Sequence, residues 1–388
     1  MTNSFLSDTT STLNAVKNLA LGVLPLIPTE RRYGANSITT KELEAALSPH
    51  VPEARLNHLE IEFDSKGTTD RARLHLHWNE SGVQANLPTT AFVKGTPTTV
   101  SSRILNSVFG LCETEVRFYN QIYPDVADIT VKPYVARVGA GGRFVIALED
   151  LSNRASFYQT GDQPSLAYVE AMIGALAKLH AKYWQSPRFK RDLSWVTPYA
   201  QRPGHTLSHL VENRSEEWLI ERGDAPKTVL RLTRFFLENR RAVDRVWESL
   251  PPTLCHGDPH LANTYTLTNG QVGLLDWQNM HKMNGLRDVA YFLGYSLTTE
   301  QRHTAESNLI KRYLEQLAAH GVKEVPTYSQ AFDLYRLLML DTWTSVWMTL
   351  AIGGMSDEDL GEIAIKRVYE TLEDLDTEKA LRSAVQSL

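Results

Sequence analysis

Hydrophobic residues alternate with polar ones along the first part of the chain. Residues 59–63 and 72–78 show this alternation, and the segment 65–70 separates them as a turn. Short segments of strand-like composition follow at residues 91–94, 131–135 and 144–148. The pattern predicts an N-terminal antiparallel sheet.

Beyond Asp150 the hydrophobic period lengthens to about 3.6 residues, the period of a helix. A helix is predicted just after Ser165, with one apolar face formed by Val169, Met172, Ile173 and Leu176. Residues 298–317 are also predicted to be helical, because Thr298 and Gln301 form a capping box at the start. Helices therefore dominate the second part of the chain.

Strands first and helices afterwards are typical of an α+β protein. The period changes near residues 148–152, which predicts a sheet lobe over residues 1–148 and a larger, mainly helical lobe over residues 149–388. A chain of 388 residues is long enough for two such lobes, each with its own core.

Composition and charge exclude several classes of protein. Hydrophobic residues make up 42% of the chain and charged residues 22%, which is ordinary for a soluble protein. The net charge of −5 gives no reason to expect nucleic acid or an anionic membrane as a partner. The only cysteines, Cys112 and Cys255, are far apart, which indicates a reducing compartment.

Two apolar segments are candidates for a signal peptide or a membrane span. Residues 19–27 are interrupted by Pro25 and lack the charge pattern of a signal peptide. Residues 334–355 contain Arg336 and Asp341, so a buried helix is predicted there instead of a membrane span. We therefore expect a soluble, cytoplasmic protein without a membrane partner.

Candidate chemistry is concentrated in residues 254–263 and 272–278. Asp258 follows a His-Gly pair, Asn263 lies five positions later, and Asp276 ends an apolar strand-like segment. This spacing is typical of ATP-dependent phosphoryl transfer, in which the first carboxylate orients the acceptor hydroxyl and the other two side chains bind Mg²⁺. Asp258 and Asn263 alone would suit an ordinary turn, but the combination favours catalysis.

Such chemistry predicts an upstream lysine and a carboxylate that holds it. Lys94 ends a predicted strand, a position at which most lysines are simply solvated. Glu115 lies within an apolar stripe of a helix predicted over residues 108–122, where a lone carboxylate needs a cationic partner. We expect these two to pair and Glu113 to be solvated; a glutamate at the edge of an amphipathic helix is the alternative.

Several other features allow two interpretations. The turn containing Gly67, Thr68 and Thr69 would suit nucleotide phosphates, although an ordinary hairpin turn is nearly as good an explanation. His75 and His77 share one strand face, but without a third ligand they are expected to face solvent and not to bind metal.

Three side chains of the second part have simple interpretations. His180 is expected to be a packing or capping residue near the end of a helix. Trp343 and Trp347 are one helical turn apart, and they either form a core stripe, the default interpretation, or line an apolar substrate pocket.

These residues together resemble the aminoglycoside phosphotransferase and choline kinase superfamily. The resemblance rests on His256 to Asn263 and Leu275-Asp276-Trp277-Gln278, and it is greatest for the ecdysteroid kinase-like branch, which is similar also at Glu149-Asp150-Leu151. It implies a two-lobed protein-kinase-like fold. Trp277 replaces the usual phenylalanine of that branch.

The resemblance also implies individual roles. Asp258 would be the catalytic base, and Asn263 and Asp276 the Mg²⁺ ligands. Lys94 and Glu115 would position the nucleotide phosphates. The hinge backbone at Glu149, Asp150 and Leu151 would hold adenine, and Asp288 would brace the catalytic loop.

The sequence therefore predicts an ATP- and Mg²⁺-dependent kinase for a small-molecule hydroxyl group. The abundance of Trp, Tyr, Leu and Met in the second half favours an apolar or polycyclic alcohol as acceptor, with Asp341 an isolated exception. Alternatives are an aminoglycoside- or choline-type kinase with a cationic acceptor, a non-catalytic nucleotide-binding pseudokinase, and a protein kinase, which the missing Ala-Pro-Glu segment disfavours. The sequence does not predict the oligomeric state.

Overall fold

The structure is a computed structural model that describes residues 16–17, 20–21, 33–66, 68–353 and 358–388. Most of the apolar stretch at 19–27, the predicted phosphate-turn residue Gly67, and the end of the apolar segment 334–355 lie outside the described residues. Contacts divide the chain into two compact units, Met1–Ala155 and Ser156–Leu388. The predicted α+β class, with a sheet in the first part and helices in the second, is confirmed.

The first unit is built on a five-stranded antiparallel sheet with strand order β1-β2-β3-β5-β4. Its strands are β1 (Leu56–Lys66), β2 (Asp70–Trp78), β3 (Thr90–Gly95), β4 (Pro133–Val138) and β5 (Phe144–Glu149). Alternate residues of β2 are buried, as its hydrophobic pattern predicts. The core on one face includes Leu74, Val93 and Val145.

The helices of the first unit are, in chain order, α1 (Thr40–Leu47), α2 (Glu80–Gln84), α3 (Val100–Phe109), α4 (Leu111–Gln121) and α5 (Tyr123–Val126). The sequence predicted one helix over residues 108–122, and the predicted start is wrong. Val108 belongs to α3, and the helix that carries Glu115, α4, begins at Leu111. Gly110 separates α3 from α4 with a φ of 64°, a left-handed conformation that ends α3 and that glycine adopts without a steric penalty.

The second unit is mainly helical. Its helices are α6 (Leu166–Tyr183), α7 (His205–Arg222), α8 (Lys227–Ser249), α9 (Leu286–Ser296), α10 (Thr299–Ala319), α11 (Tyr328–Ile352), α12 (Glu358–Asp374) and α13 (Thr377–Gln386). The predicted starts of two helices are confirmed: Ser165 caps α6, and Thr298 forms a capping box with Gln301 at α10.

Short strands beside these helices carry the catalytic motifs. They are β6 (Ala155–Phe157), β7 (Thr253–Cys255), β8 (Thr264–Leu267), β9 (Val272–Leu274) and β10 (His281–Met283). β7 pairs with β10, and β8 pairs with β9 as an antiparallel hairpin. The loop between β7 and β8 holds Asp258 and Asn263, and the segment after β9 holds Asp276.

Helix α11 is a core helix, as predicted for this apolar segment. Trp343 and Trp347 are fully buried, with indole N–H groups that donate to Thr233 Oγ1 and the Ser215 carbonyl. The core interpretation of this pair is therefore confirmed, and neither ring is available to line a substrate pocket. None of the helices within the described residues has the length and apolar character needed to span a membrane.

Candidate active site

The loop after β7 begins with a tight turn at Gly257. This glycine has a φ of 88°, and a Cβ at this position would lie 2.1 Å from the Asn279 carbonyl oxygen. A side chain here would therefore collide with backbone as well as strain the turn. Within the loop, the His260 N–H donates to the Asp258 carbonyl at 3.0 Å and the Asn263 N–H donates to the His260 carbonyl at 2.9 Å.

Both carboxylate oxygens of Asp258 accept hydrogen bonds. Tyr291 Oη on α9 donates to Oδ1 at 2.7 Å, and Asn263 Nδ2 donates to Oδ2 at 3.2 Å. Asn263 Nδ2 also donates to the Asp258 carbonyl oxygen at 2.9 Å. These contacts hold the carboxylate in one orientation. A fixed orientation is what a general base needs in order to receive a proton from a bound hydroxyl group.

His256 joins this loop to the segment that carries Asp276. Its Nε2 lies 2.8 Å from the Leu275 carbonyl oxygen, and its Nδ1 accepts from the Asp258 N–H at 3.2 Å. The ring is therefore neutral with its proton on Nε2. Burial lowers the pKa of His256 and outweighs the opposing charges of nearby carboxylates. The Leu275 N–H completes the connection by donating to the Asn263 carbonyl at 2.8 Å.

Asp276 itself has an unusual backbone. Its φ of 63° and ψ of 71° place it in the left-handed region, which costs a non-glycine residue about 1–2 kcal/mol. Such conformations persist where the surroundings enforce them, and they are common at functional sites. The following Trp277 is fully buried and packs edge-on against His256, with ring centroids 4.6 Å apart. The bulky tryptophan thus supports the loop.

The side chains of Asn263 and Asp276 suit Mg²⁺. The amide nitrogen of Asn263 is occupied by Asp258, so the carbonyl oxygen Oδ1 is the atom that this side chain can offer to a cation. Asp276 adds carboxylate oxygens. Hard oxygen donors of these two kinds are the ligands that Mg²⁺ prefers, and the residues present therefore fit the ion predicted from the sequence.

Asp288, at the start of α9, holds the backbone of the catalytic loop through hydrogen bonds. Its carboxylate accepts from the backbone N–H groups of His256 at 2.6 Å and Gly257 at 3.1 Å. His180 Nε2 lies 3.2 Å from the same carboxylate, and Arg287 contacts it at 3.0 Å. The bracing role implied by the family resemblance is thus confirmed.

The ionisation of Asp288 follows from these contacts. Burial acts to raise its pKa, but the hydrogen bond from His180 and the positive charge of Arg287 outweigh burial and hold the pKa well below its usual range. His180 is buried, as the packing interpretation expected, and its Nδ1 lies 2.9 Å from Tyr313 Oη. It also positions Asp288, which the sequence did not predict.

Arg287 connects α9 to α11 through a buried ion pair. Its Nε contacts Asp341 Oδ2, and both residues are almost fully excluded from solvent. Asp341, expected from the sequence to be an isolated acidic residue, is therefore the partner of Arg287. Burial raises the pKa of Asp341 against the opposing effect of the arginine.

In the first unit, the structure brings Lys94 and Glu115 together. Lys94 Nζ lies 2.9 Å from Glu115 Oε1 and 3.0 Å from Oε2, and both side chains are buried. Glu113 instead forms a half-exposed pair with Arg117 at 2.6 Å. The contact predicted from the apolar stripe is present, and the role of Lys94 toward a nucleotide stays a prediction.

The predicted phosphate turn connects β1 to β2. Asn106 on α3 donates to the Thr68 carbonyl oxygen at 2.6 Å, and the side chain of Thr69 is buried. Helix α3 thus holds the described part of the turn in place. Binding of phosphate by Thr68 and Thr69 stays a prediction.

The predicted adenine hinge follows β5. The Glu149 N–H donates to the Lys132 carbonyl at 2.9 Å, and Asp150 accepts from Arg73 at 3.0 Å. Burial acts to raise the pKa of Asp150, but hydrogen bonds and the charge of Arg73 lower it overall. The carboxylate of Asp150 therefore serves contacts within the first unit. Adenine binding at Glu149, Asp150 and Leu151 remains a prediction.

A model described as the phosphotransferase enzyme family matches residues 112–328, more than half of the chain. The chain belongs to this family. The matched segment includes Glu115 and the whole catalytic loop with Asp258, Asn263 and Asp276. The predicted superfamily is thereby confirmed, and the narrower resemblance to the ecdysteroid kinase-like branch stays a prediction.

Solved structures share the fold of this phosphotransferase family member at low sequence identity. One is a protein from Ralstonia eutropha JMP134 assigned as an aminoglycoside phosphotransferase, with 16% identity and a TM-score of 0.53 over 87% of this chain and 98% of that one. Another is choline kinase from Cryptosporidium parvum Iowa II, with 12% identity and a TM-score of 0.50 over 84% and 91% of the two chains. At these identities the likeness concerns the fold alone.

A curated relative matches a short segment of the chain. Over 79 residues it is 32% identical to the uncharacterised oxidoreductase dhs-27 of Caenorhabditis elegans. The match covers 18% of this chain and spans about a tenth, 10%, of that protein's length. A match of this extent assigns no activity to the phosphotransferase family member described here.

Sequence reasoning missed Tyr291, which contacts the carboxylate of Asp258. A pattern could have indicated it, because Tyr291 follows Asp288 by three positions and therefore lies on the same face of α9. If Asp288 braces the catalytic loop, the face of α9 that carries Asp288 and Tyr291 must point toward this loop. The contacts of His256 with Leu275 and of Arg287 with Asp341 had no comparable pattern, since each joins segments that are distant in sequence.

Proposed function

We propose that this phosphotransferase is a kinase that moves the γ-phosphate of ATP to a hydroxyl group of a small molecule. The observation that carries this proposal is the double restraint on Asp258, whose two carboxylate oxygens accept from Tyr291 and Asn263. In the reaction, the acceptor O–H bond and the bond between the γ-phosphorus and ADP break, and a new O–P bond forms. The acceptor proton passes to Asp258.

The remaining residues position the nucleotide. Asn263 and Asp276 would hold Mg²⁺, which supplies positive charge to neutralise the phosphates. Lys94, which Glu115 holds in a fixed orientation, would bind a phosphate oxygen of the nucleotide. Phosphoryl transfer depends mainly on such positioning and charge neutralisation, so fixed side chains are the main requirement.

The acceptor is proposed to be a neutral alcohol with a ring system. Tyr291 and Tyr295 stack with ring centroids 5.6 Å apart, and His260 stacks on Tyr295 at 5.2 Å. Tyr291, whose hydroxyl contacts Asp258, is buried, whereas Tyr295 and His260 are partly exposed. Exposed aromatic faces bind flat apolar groups well. This aromatic series supports an apolar or polycyclic alcohol after the buried tryptophans of α11 have been set aside.

Charges of both signs lie near the base. The Arg202 guanidinium interacts with the carboxylates of Asp341 and Asp258, although burial lowers the pKa of Arg202 overall. Choline and aminoglycosides, which carry ammonium groups, therefore serve as the comparison class in the test.

A mass-spectrometric screen tests the proposal. The protein, ATP and Mg²⁺ are incubated with polycyclic alcohols, including ecdysteroids, and with choline and aminoglycosides, and a phosphate gain is sought in each compound. We expect phosphorylation within the polycyclic set and a loss of roughly 10²–10⁴-fold in turnover for Asp258→Asn. Bound ATP without any phosphorylated product would support the pseudokinase alternative and overturn the proposal.

A further inference from the structure

The outer face of the β1–β2 hairpin gathers two histidines and a glutamate. His58 and His77 are register partners on the two strands, and Glu60 lies two positions after His58 on the same face. Glu60 Oε1 is 3.6 Å from His58 Nε2 and 3.3 Å from His77 Nε2. From sequence, metal binding at His77 was disfavoured for want of a third ligand. The fold supplies two more.

The spacing of these atoms fits a transition-metal ion. Ligands about 2.0–2.1 Å from a tetrahedral Zn²⁺ lie about 3.3 Å from one another. The two distances to Glu60 are close to that edge length, and the three ligand atoms all lie within 4.8 Å of one another. Among the described residues, His77 Nε2 has no hydrogen-bond partner despite the nearby carboxylate. This nitrogen is shielded from solvent in the present orientation of the ring, so the imidazole must turn before its lone pair can meet an ion.

A small movement would bring the ligands into coordination. The two imidazole rings stack with centroids 4.1 Å apart and planes 5° from parallel, so each must turn for both lone pairs to converge on one ion. The side chains are 59% and 43% exposed, and core packing does not oppose this turn. Water can complete a site with three protein ligands, as it does in catalytic zinc sites.

Neighbouring groups do not offer an equivalent site. His75 lies on the same strand face but pairs with Glu62 at 3.0 Å. A second set of close ligands, His180, Cys255 and Asp288, is fully buried and already hydrogen-bonded. Asp288 holds the catalytic loop, His180 contacts Asp288, and the Cys255 thiol donates to the Met283 carbonyl. The side chains of the first set are exposed, so a metal ion can reach them from solvent once the imidazole of His77 turns outward.

We propose that His58, Glu60 and His77 bind one divalent transition-metal ion, with Zn²⁺ as the representative ion. Two imidazoles and one carboxylate suit Zn²⁺, Ni²⁺ and Cu²⁺, and they are a poor match for Mg²⁺. The ion joins the edge strand β1 to β2 at one end of the hairpin. It is separate from the proposed Mg²⁺ ligands, and it does not depend on the kinase reaction.

Calorimetric titration of the full chain, free of any histidine tag, with Zn²⁺ tests this site. We expect one equivalent to bind, and His58→Gln, Glu60→Gln and His77→Gln each to weaken binding by at least roughly tenfold. His75→Gln is the matched control on the same face, and it should bind as the wild type does. Asp276→Ala should also retain the site, because the proposed catalytic metal lies elsewhere.

Thermal unfolding gives a second readout. Zn²⁺ should raise the Tm of the wild type and of His75→Gln, but not of His77→Gln, because only bound metal stabilises the folded state. Without metal the variants should unfold like the wild type, since the substituted side chains are exposed. The proposal is overturned if no stoichiometric binding occurs, or if the three ligand variants bind Zn²⁺ as tightly as His75→Gln does.

Discussion

The hydroxyl of Tyr291 donates a 2.7 Å hydrogen bond to Oδ1 of Asp258. A hydrogen bond to a charged group contributes about 1.5–3 kcal/mol, so Tyr291→Phe should lower kcat roughly 10–100-fold by leaving the base less well oriented. The KM for ATP should change little. Steady-state kinetics with the identified acceptor measure both constants.

Tyr295→Phe is the matched control for this prediction. Tyr295 lies one helical turn further along α9 and stacks on Tyr291, with no recorded hydrogen bond to Asp258 among the described contacts. It should retain most of the turnover. Equal losses in the two variants would show that the tyrosines contribute by packing and not by orienting the base.

Asp276→Ala should abolish Mg²⁺-dependent nucleotide binding, because this carboxylate is the proposed main protein ligand of the ion. Fluorescence titration with an ATP analogue, with and without Mg²⁺, checks this. Asp359→Ala, at an exposed position of α12, serves as the control. If Asp276→Ala responded to Mg²⁺ as the wild type does, the metal assignment would be wrong.

The buried pair of Lys94 and Glu115 should contribute to stability as well as to catalysis. Lys94→Met leaves a carboxylate in the core without its lysine, which costs about 3–5 kcal/mol in the free energy of unfolding. The double variant with Glu115→Gln should be less destabilised than the sum of the two single variants. Urea denaturation measures the free energies, and Lys94→Met should also show reduced turnover.

Glu113→Gln provides the comparison within the same helix. Glu113 pairs with Arg117 at a half-exposed position, where an ion pair contributes only about 0–1 kcal/mol. Its variant should unfold nearly as the wild type does. A strictly additive result for the Lys94 and Glu115 variants would contradict a direct interaction between them.

Acid should destabilise the protein through His281. Burial and the charges of Arg202 and Arg287 lower the pKa of this histidine from 6.5 to about 3. Below about pH 6.5, His281 becomes protonated in the unfolded chain but stays neutral in the folded chain. The free energy of unfolding therefore falls as the pH approaches 3. Above that range His281 is neutral in both states and contributes no pH dependence.

Urea denaturation across this range checks the effect. His281→Gln should show a shallower decline in the free energy of unfolding than the wild type between about pH 6.5 and pH 4.5. His320→Gln, which replaces an exposed histidine, should decline as the wild type does. Parallel curves for the wild type and His281→Gln would mean that other groups govern acid stability.

Local patterns were sufficient to predict much of the fold and the motif. Strand alternation is visible within a few residues, and Asp258 and Asn263 are five positions apart. The pairing of Lys94 with Glu115 could be inferred over 21 positions because a buried charge requires a partner. Each of these predictions rests either on residues that are close in sequence or on the energetic cost of burying an unpaired charge.

Other contacts depend on how distant elements pack. Tyr291 meets Asp258 across 33 positions, and His180 meets Asp288 across 108. Many polar residues in the sequence could form such a contact, and the hydrophobic periodicity does not indicate which of them do. The left-handed backbone conformation of Asp276 could not be predicted from the sequence either, because aspartate adopts ordinary conformations at most positions.

The ion pair between Arg287 and Asp341 has a practical consequence for dissecting the molecule. Residues 112–328 match the family, yet Asp341 lies beyond that boundary, in the middle of α11. A fragment truncated at residue 328 would keep Arg287 and lose Asp341, one of its two carboxylate partners, together with the buried indoles that α11 contributes to the core. Arg287 would then be paired only with Asp288, the carboxylate that also holds the backbone of the catalytic loop. The shortest fragment able to fold around an intact active site must therefore extend through α11.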